Sequence, residues 1–142
     1  MGIFKPGSES AKGKVDTMHA EYLLRQTAKK LENNLSSFHS VIASNMDFKI
    51  KQGSISAPNP VNYAVGYKRA YNYLRKMQNK AEIIRNYEKD LSLPRAGVLE
   101  AVKALTEYFE SIEEKRDTFF RKKLDELTSK VKNSVGGYLK DE

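Results

Sequence analysis

Two histidines, a serine-rich run and a stretch without acids are the places where this sequence could do chemistry. His39 stands among Ser36, Ser37, Ser40 and Ser44, the side-chain types from which a Ser–His hydrolase is built. Such a site also needs an orienting acid and donors for an oxyanion, and one helix cannot present all of these at once. His39 is therefore read as structural, and the serines as small groups that let another backbone approach. His19 follows Asp16 by three residues, but the paired Glu-x-x-His units of a di-metal bundle are missing. Asp16 is better used as a helix cap. The run GSESAKGK, residues 7 to 14, approaches a phosphate-binding loop, yet five residues separate Gly7 from Gly13 where the motif has four. Val15 also stands where Ser or Thr would hold magnesium. Glu113 and Glu114 are neighbours on a solvated face, not carboxylates opposed across a cleft, so acid–base catalysis has no support. The expectation is a non-enzyme with no metal and no cofactor.

The acid-free stretch is more informative. From Phe48 to Ala81 there are seven bases, Lys49, Lys51, Lys68, Arg69, Arg75, Lys76 and Lys80, and no Asp or Glu, in a chain of formal net charge +7. Lys and Arg meet phosphates and release their counterions, while Tyr stacks on unpaired bases or bonds a phosphate oxygen. Lys68, Arg69, Arg75, Lys76 and Lys80, with Tyr71 and Tyr73 beside them, are accordingly the expected nucleic-acid contacts. Lys49, Lys51, Lys12 and Lys14 are expected as secondary basic contacts. The spacing is not that of a recognition helix, so binding would follow the backbone without reading sequence. A competing use exists: residues 100 to 117 carry six acids against three bases, and helix-to-helix pairing would absorb much of the basic field. Membrane attachment is set aside, because Tyr and Ala give this helix little to insert.

These residues need elements to hold them. Leu24, Ala28, Leu31, Leu35, Phe38 and Ile42 recur at alternating spacings of four and three, one stripe of a helix over about 17 to 46 starting at Asp16 or Thr17. Residues 47 to 59 lose that period, and an irregular loop is expected there in preference to a short hairpin turning at Gly53. Asn59 before Pro60 is a cap with proline at the first helical position. Tyr63, Tyr67, Ala70, Leu74, Met77, Ala81 and Ile84 then mark a second helix over about 60 to 90.

After Ser92 and Pro94 the pattern restarts at Val98 and runs through Val102, Leu105, Phe109 and Ile112. Residues 113 to 118, EEKRDT, interrupt it, and Phe119, Phe120, Leu124, Leu127, Val131 and Val135 resume it before Gly136 and Gly137 supply a stop. Read as one helix over about 95 to 135, this element outruns the other two by about 15 Å. Either it folds back as a fourth helix, or Phe119, Phe120, Leu124, Leu127 and Val131 cover themselves with another chain. The latter would make the protein a homo-oligomer or part of a larger assembly.

The fold expected is all-α: an up-down-up bundle of three long helices, with a fourth as the alternative, and coiled-coil-like packing. Residues 1–14 form a basic flexible arm and 15–142 one domain. With no Cys, disulfides and thiolate metal sites are excluded. The opening residues hold only Ile3 and Phe4 as an apolar pair, too few for a secretory signal, so the expected location is the cytoplasm or the interior of a virion. A structural or assembly protein contacting nucleic acid is the function expected; a protein–protein adaptor, chaperone or filament subunit is the alternative.

Overall fold

The computed structural model describes residues 11–47, 49–51, 53–115 and 120–139. Four helices pack against one another: α1 (Ala11–Val41), α2 (Pro60–Asp90), α3 (Val98–Lys115) and α4 (Phe120–Leu139). The all-α class holds. Helical backbone already begins at Ala11, so Asp16 and Thr17 lie inside α1 and do not cap it. Lys12 and Lys14, expected in a flexible arm, therefore stand on the opening turns of α1, and the rest of that arm lies outside the described residues. Extending a formed helix adds one hydrogen bond per residue fixed, and Ala and Lys favour it. The apolar stripe of α1 is buried as its spacing requires, Phe38, Leu31 and Ile42 completely. Beyond Val41 the helix widens into one π turn, Ile42–Met46, closed by Asp47 N–H donating to the Ile42 carbonyl at 3.0 Å.

The connection from 47 to 59 is not irregular. Lys49–Lys51 (β1) and Ser54–Ser56 (β2) form an antiparallel hairpin, with Ile50 opposite Ile55 and Lys51 opposite Ser54. Gly53, at φ 81°, supplies the left-handed residue of its turn. The alternation of apolar and basic residues here has period two, and pairing satisfies backbone groups that a loop would leave to water.

Asn59 caps α2 as expected, its Oδ1 accepting from the N–H groups of Val61 at 2.8 Å and Asn62 at 3.4 Å. Tyr63, Ala70, Leu74, Met77, Ala81 and Ile84 are buried; Gly66 is buried with them, while Tyr67 is half-buried. Gly66 sets the distance between α1 and α2. A Cβ there would overlap Cβ of Asn45 and come within 3.2 Å of Cγ of Met46.

The long third helix is corrected. α3 ends at Lys115 and α4 starts at Phe120, packing back on α3 and on α1. The Tyr108 hydroxyl donates to the Phe120 carbonyl at 3.4 Å across the new seam. Folding back removes the apolar face of α4 from water within one chain, which a continuous helix would leave uncovered. Phe120, Leu124, Leu127 and Val131 are buried in this core, so the stripe expected to meet a second chain is used internally. Phe119 lies outside the described residues. Nor do Gly136 and Gly137 stop the helix, which continues to Leu139 because Tyr138 is held from outside: its hydroxyl donates to Glu88.

Glu88, buried on α2, gathers the other end of the bundle. Its carboxylate accepts from Tyr138 and from the Ala96 N–H, at 2.9 Å for the latter, while its carbonyl accepts from Leu93 N–H at 2.8 Å. Burial and the adjacent carboxylate push the Tyr138 hydroxyl above the usual tyrosine range, so it remains a donor at any ordinary pH.

Helical glycines in this fold should respond to alanine with opposite signs. Gly66→Ala is expected to cost about 1–3 kcal/mol, because overpacking at the seam outweighs the gain in helix propensity. Gly137→Ala, where an added Cβ meets no atom within 4 Å, is expected to stabilise by about 0.5–1 kcal/mol. Urea unfolding followed by circular dichroism measures both; a neutral or stabilising Gly66→Ala would refute the close-approach account.

Candidate functional site

The basic residues of α2 divide between two flanks. Each residue turns the helix by about 100°, and two contacts fix the direction: Gly66 faces α1 at Asn45, whereas Tyr67 stacks on Phe109 of α3, with centroids 4.7 Å apart. From these anchors Arg69, Lys76 and Lys80 fall on the flank beside α1. Lys68 and Arg75 fall on the flank beside α3. Lys80 is half-buried and the other four are exposed.

Among the described residues, pairing with the acidic part of α3 is not how these charges are met. Among the described residues, none of the five is in an ion pair. The contact across the α2–α3 seam comes from a tyrosine: the Tyr71 hydroxyl donates to Glu110 at 3.5 Å. The side chains of Glu113 and Glu114, and all of Asp117, lie outside the description.

Both tyrosines already have partners for their rings. Tyr71 lies parallel to Tyr67, with centroids 6.4 Å apart and planes 5° from parallel. Tyr73 carries the Lys76 ammonium 5.3 Å from its centroid, within cation–π range. The rings act first as packing groups that hold α2 against its neighbours and fix Lys76 in place.

One participant escaped sequence reading. Burial, together with the ammonium groups of Lys30 on α1 and Lys76, lowers the Lys80 pKa from its ordinary value. Lys30 therefore belongs to the same basic patch. Only the register of α1 against α2 reveals it, since fifty residues separate Lys30 from Lys80 in the chain. Of the secondary candidates, Lys49 and Lys51 lie on β1, and about 24 Å of helix separates Lys14 from Lys30.

A second polar cluster lies between α1 and α4. Arg121 donates to Asp47 at the end of the π turn, through Nε to Asp125 at 2.9 Å, and to His39 Nε2 at 2.7 Å. Arginine has no acceptor, so His39 Nε2 must offer its lone pair to Arg121. That lone pair is then unavailable to take a proton from Ser36 or Ser40, which share a crevice of about 320 Å³ with His39, Thr128, Ser129 and Lys132. Asp125 approaches His39 Nε2 at 3.6 Å, as one member of the same network. The cluster fastens α4 to the end of α1.

Among the described residues no group of three His, Asp or Glu is placed to hold a metal ion, and no helix is long and apolar enough to cross a membrane. The chain matches no protein-family model, no curated protein and no solved structure.

Arg121→Met should cost about 1–3 kcal/mol, since it removes three charge-assisted or polar contacts and leaves Asp47 partly buried beside an apolar chain. Arg121→Lys should recover only part, because an ammonium cannot reach three directions in one plane. Equilibrium urea unfolding of the two variants checks the order; full recovery with lysine would show that charge alone suffices.

Proposed function

We propose that this protein is a non-enzymatic structural or assembly component that binds nucleic acid along the phosphate backbone through the basic, tyrosine-bearing surface of α2. One observation supports the reading most. Lys68, Arg69, Arg75, Lys76 and Lys80 project from one rigid helix with no carboxylate paired to any of them among the described residues. Unneutralised cations at fixed spacing attract a polyanion, and each phosphate met releases counterions to solution. With no side-chain set for base edges, recognition is independent of sequence. In this reading the helices alternate up and down with coiled-coil-like seams, which keep the cations in register. A nucleoid, ribonucleoprotein or virion component, in the cytoplasm or packaged in a particle, fits such a role.

The second reading, a protein–protein adaptor, chaperone or filament subunit, draws on Val61 and Val65. They are exposed one turn apart at the start of α2, 70% and 49% respectively. A partner held there would use apolar contact, which salt does not weaken.

Fluorescence anisotropy with a labelled random-sequence duplex, titrated over salt, separates the two. The wild type is expected to bind with a log–log salt slope of about −4.5, five cations each contributing about 0.9. The variant carrying Lys68→Glu, Arg69→Glu, Arg75→Glu and Lys76→Glu should lose that binding. A wild type that fails to bind at low salt would defeat the proposal and favour the adaptor.

A further inference from the structure

The two flanks of α2 differ in their electrostatic company. Beside α3, Lys68 and Arg75 share their side with Glu82 of α2 and Glu110 of α3, the latter already at Tyr71. Beside α1, Lys80 lies near Lys30 and Lys76, and Arg69 continues the same flank of α2 about 16 Å further along, with neutral Asn34 and Ser37 on the facing side of α1. Between Lys30 and Val41 of α1 and between Pro60 and Ala81 of α2 the sequence has one acid, Glu32. Glu32, the acid next to Lys30 and Leu31 in sequence, points the other way, lining a crevice with Lys132 and Asn133 of α4.

Resting on the nucleic-acid reading above, we infer that the binding site is the groove between α1 and α2. Lys30, Arg69, Lys76 and Lys80 hold the phosphates of a duplex there, and Lys68 and Arg75 are peripheral contacts on the other flank. A field is strongest where cations of one sign gather and no carboxylate intervenes. Arg69, Lys76 and Lys80 span about 16 Å along α2, the length of about five steps of one strand. Lys30 adds a cation from the opposite wall. Lys80, its pKa lowered first by burial and then by Lys30 and Lys76, stands near both of those ammonium groups. The ligand class is argued from the rings: Tyr71 already lies parallel to Tyr67 and Tyr73 already holds Lys76, so stacking on an unpaired base would compete with contacts in place. The groove holds a backbone whose bases stay paired.

Two neutralised pairs test this with the full chain, each checked for unchanged helical circular dichroism. The probes are a labelled random-sequence duplex and a single strand of equal length. Lys30→Gln with Lys80→Gln is expected to weaken duplex binding more than tenfold near 0.1 M salt and to flatten the salt slope by nearly two. Lys68→Gln with Arg75→Gln is expected to weaken duplex binding by a clearly smaller factor and to flatten the slope less, and the single strand to bind no tighter than the duplex. If the second pair costs as much as the first, the groove assignment falls while the nucleic-acid reading stands. A single strand preferred by more than tenfold overturns the duplex assignment. If the wild type binds neither probe, both proposals fail together.

Discussion

The approach of α1 to α2 is the constraint on which the rest depends. It is permitted by the missing side chain at Gly66, against which Asn45 and Met46 settle. That approach buries Met46 and Tyr63 near the crossing and carries Ala70, Leu74, Met77 and Ala81 into one seam with the stripe of α1. It also sets the angular position of every other residue on α2. Tyr67 is turned onto Phe109, Tyr73 towards the α1 side, and the basic residues are parted between two flanks. A single glycine thus fixes both the core and the arrangement of charge outside it.

Polar groups then decide how the remaining helices close. Arg121 joins Asp47, Asp125 and His39 at one end, and Glu88 joins Tyr138 and the Ala96 amide at the other. Apolar packing alone tolerates small slides of one helix along another, whereas these bonds require particular partners. α4 is fixed at its first turn by one cluster and at its last by the other. Helix continuity through Gly136 and Gly137 is a consequence: the tie at Tyr138 outweighs the intrinsic preference of two glycines to end the helix.

What the sequence made legible was whatever depends on local periodicity. The stripes of all the helices, the restart at Val98 and the Asn59–Pro60 cap follow from spacing and backbone chemistry, and each is found where expected. Position in three dimensions was not legible. Residues 113 to 118 contain neither Gly nor Pro, so their polarity suits a helix surface as well as a break; burial of Phe120 and Leu124 on α1 and α3 decides between them. The hairpin was masked by its brevity, two strands of three residues each. The basic surface was legible as composition and not as geometry. Lys30 carries no signal until α1 and α2 are set in register, and the two tyrosines counted as stacking groups prove to be engaged in packing.

The order of the seams has a kinetic meaning. α1 meets α2, α2 meets α3 and α3 meets α4, so these pairings join neighbours in the chain; the contact of α4 with α1 closes the ring. Short closures form quickly and cost little entropy, while the last brings together segments some eighty residues apart, such as His39 and Arg121. α4 is therefore the natural late arrival in folding and the first helix to detach. The Arg121 and Glu88 clusters at its two ends act as latches on that step, slowing unfolding more than they hasten folding.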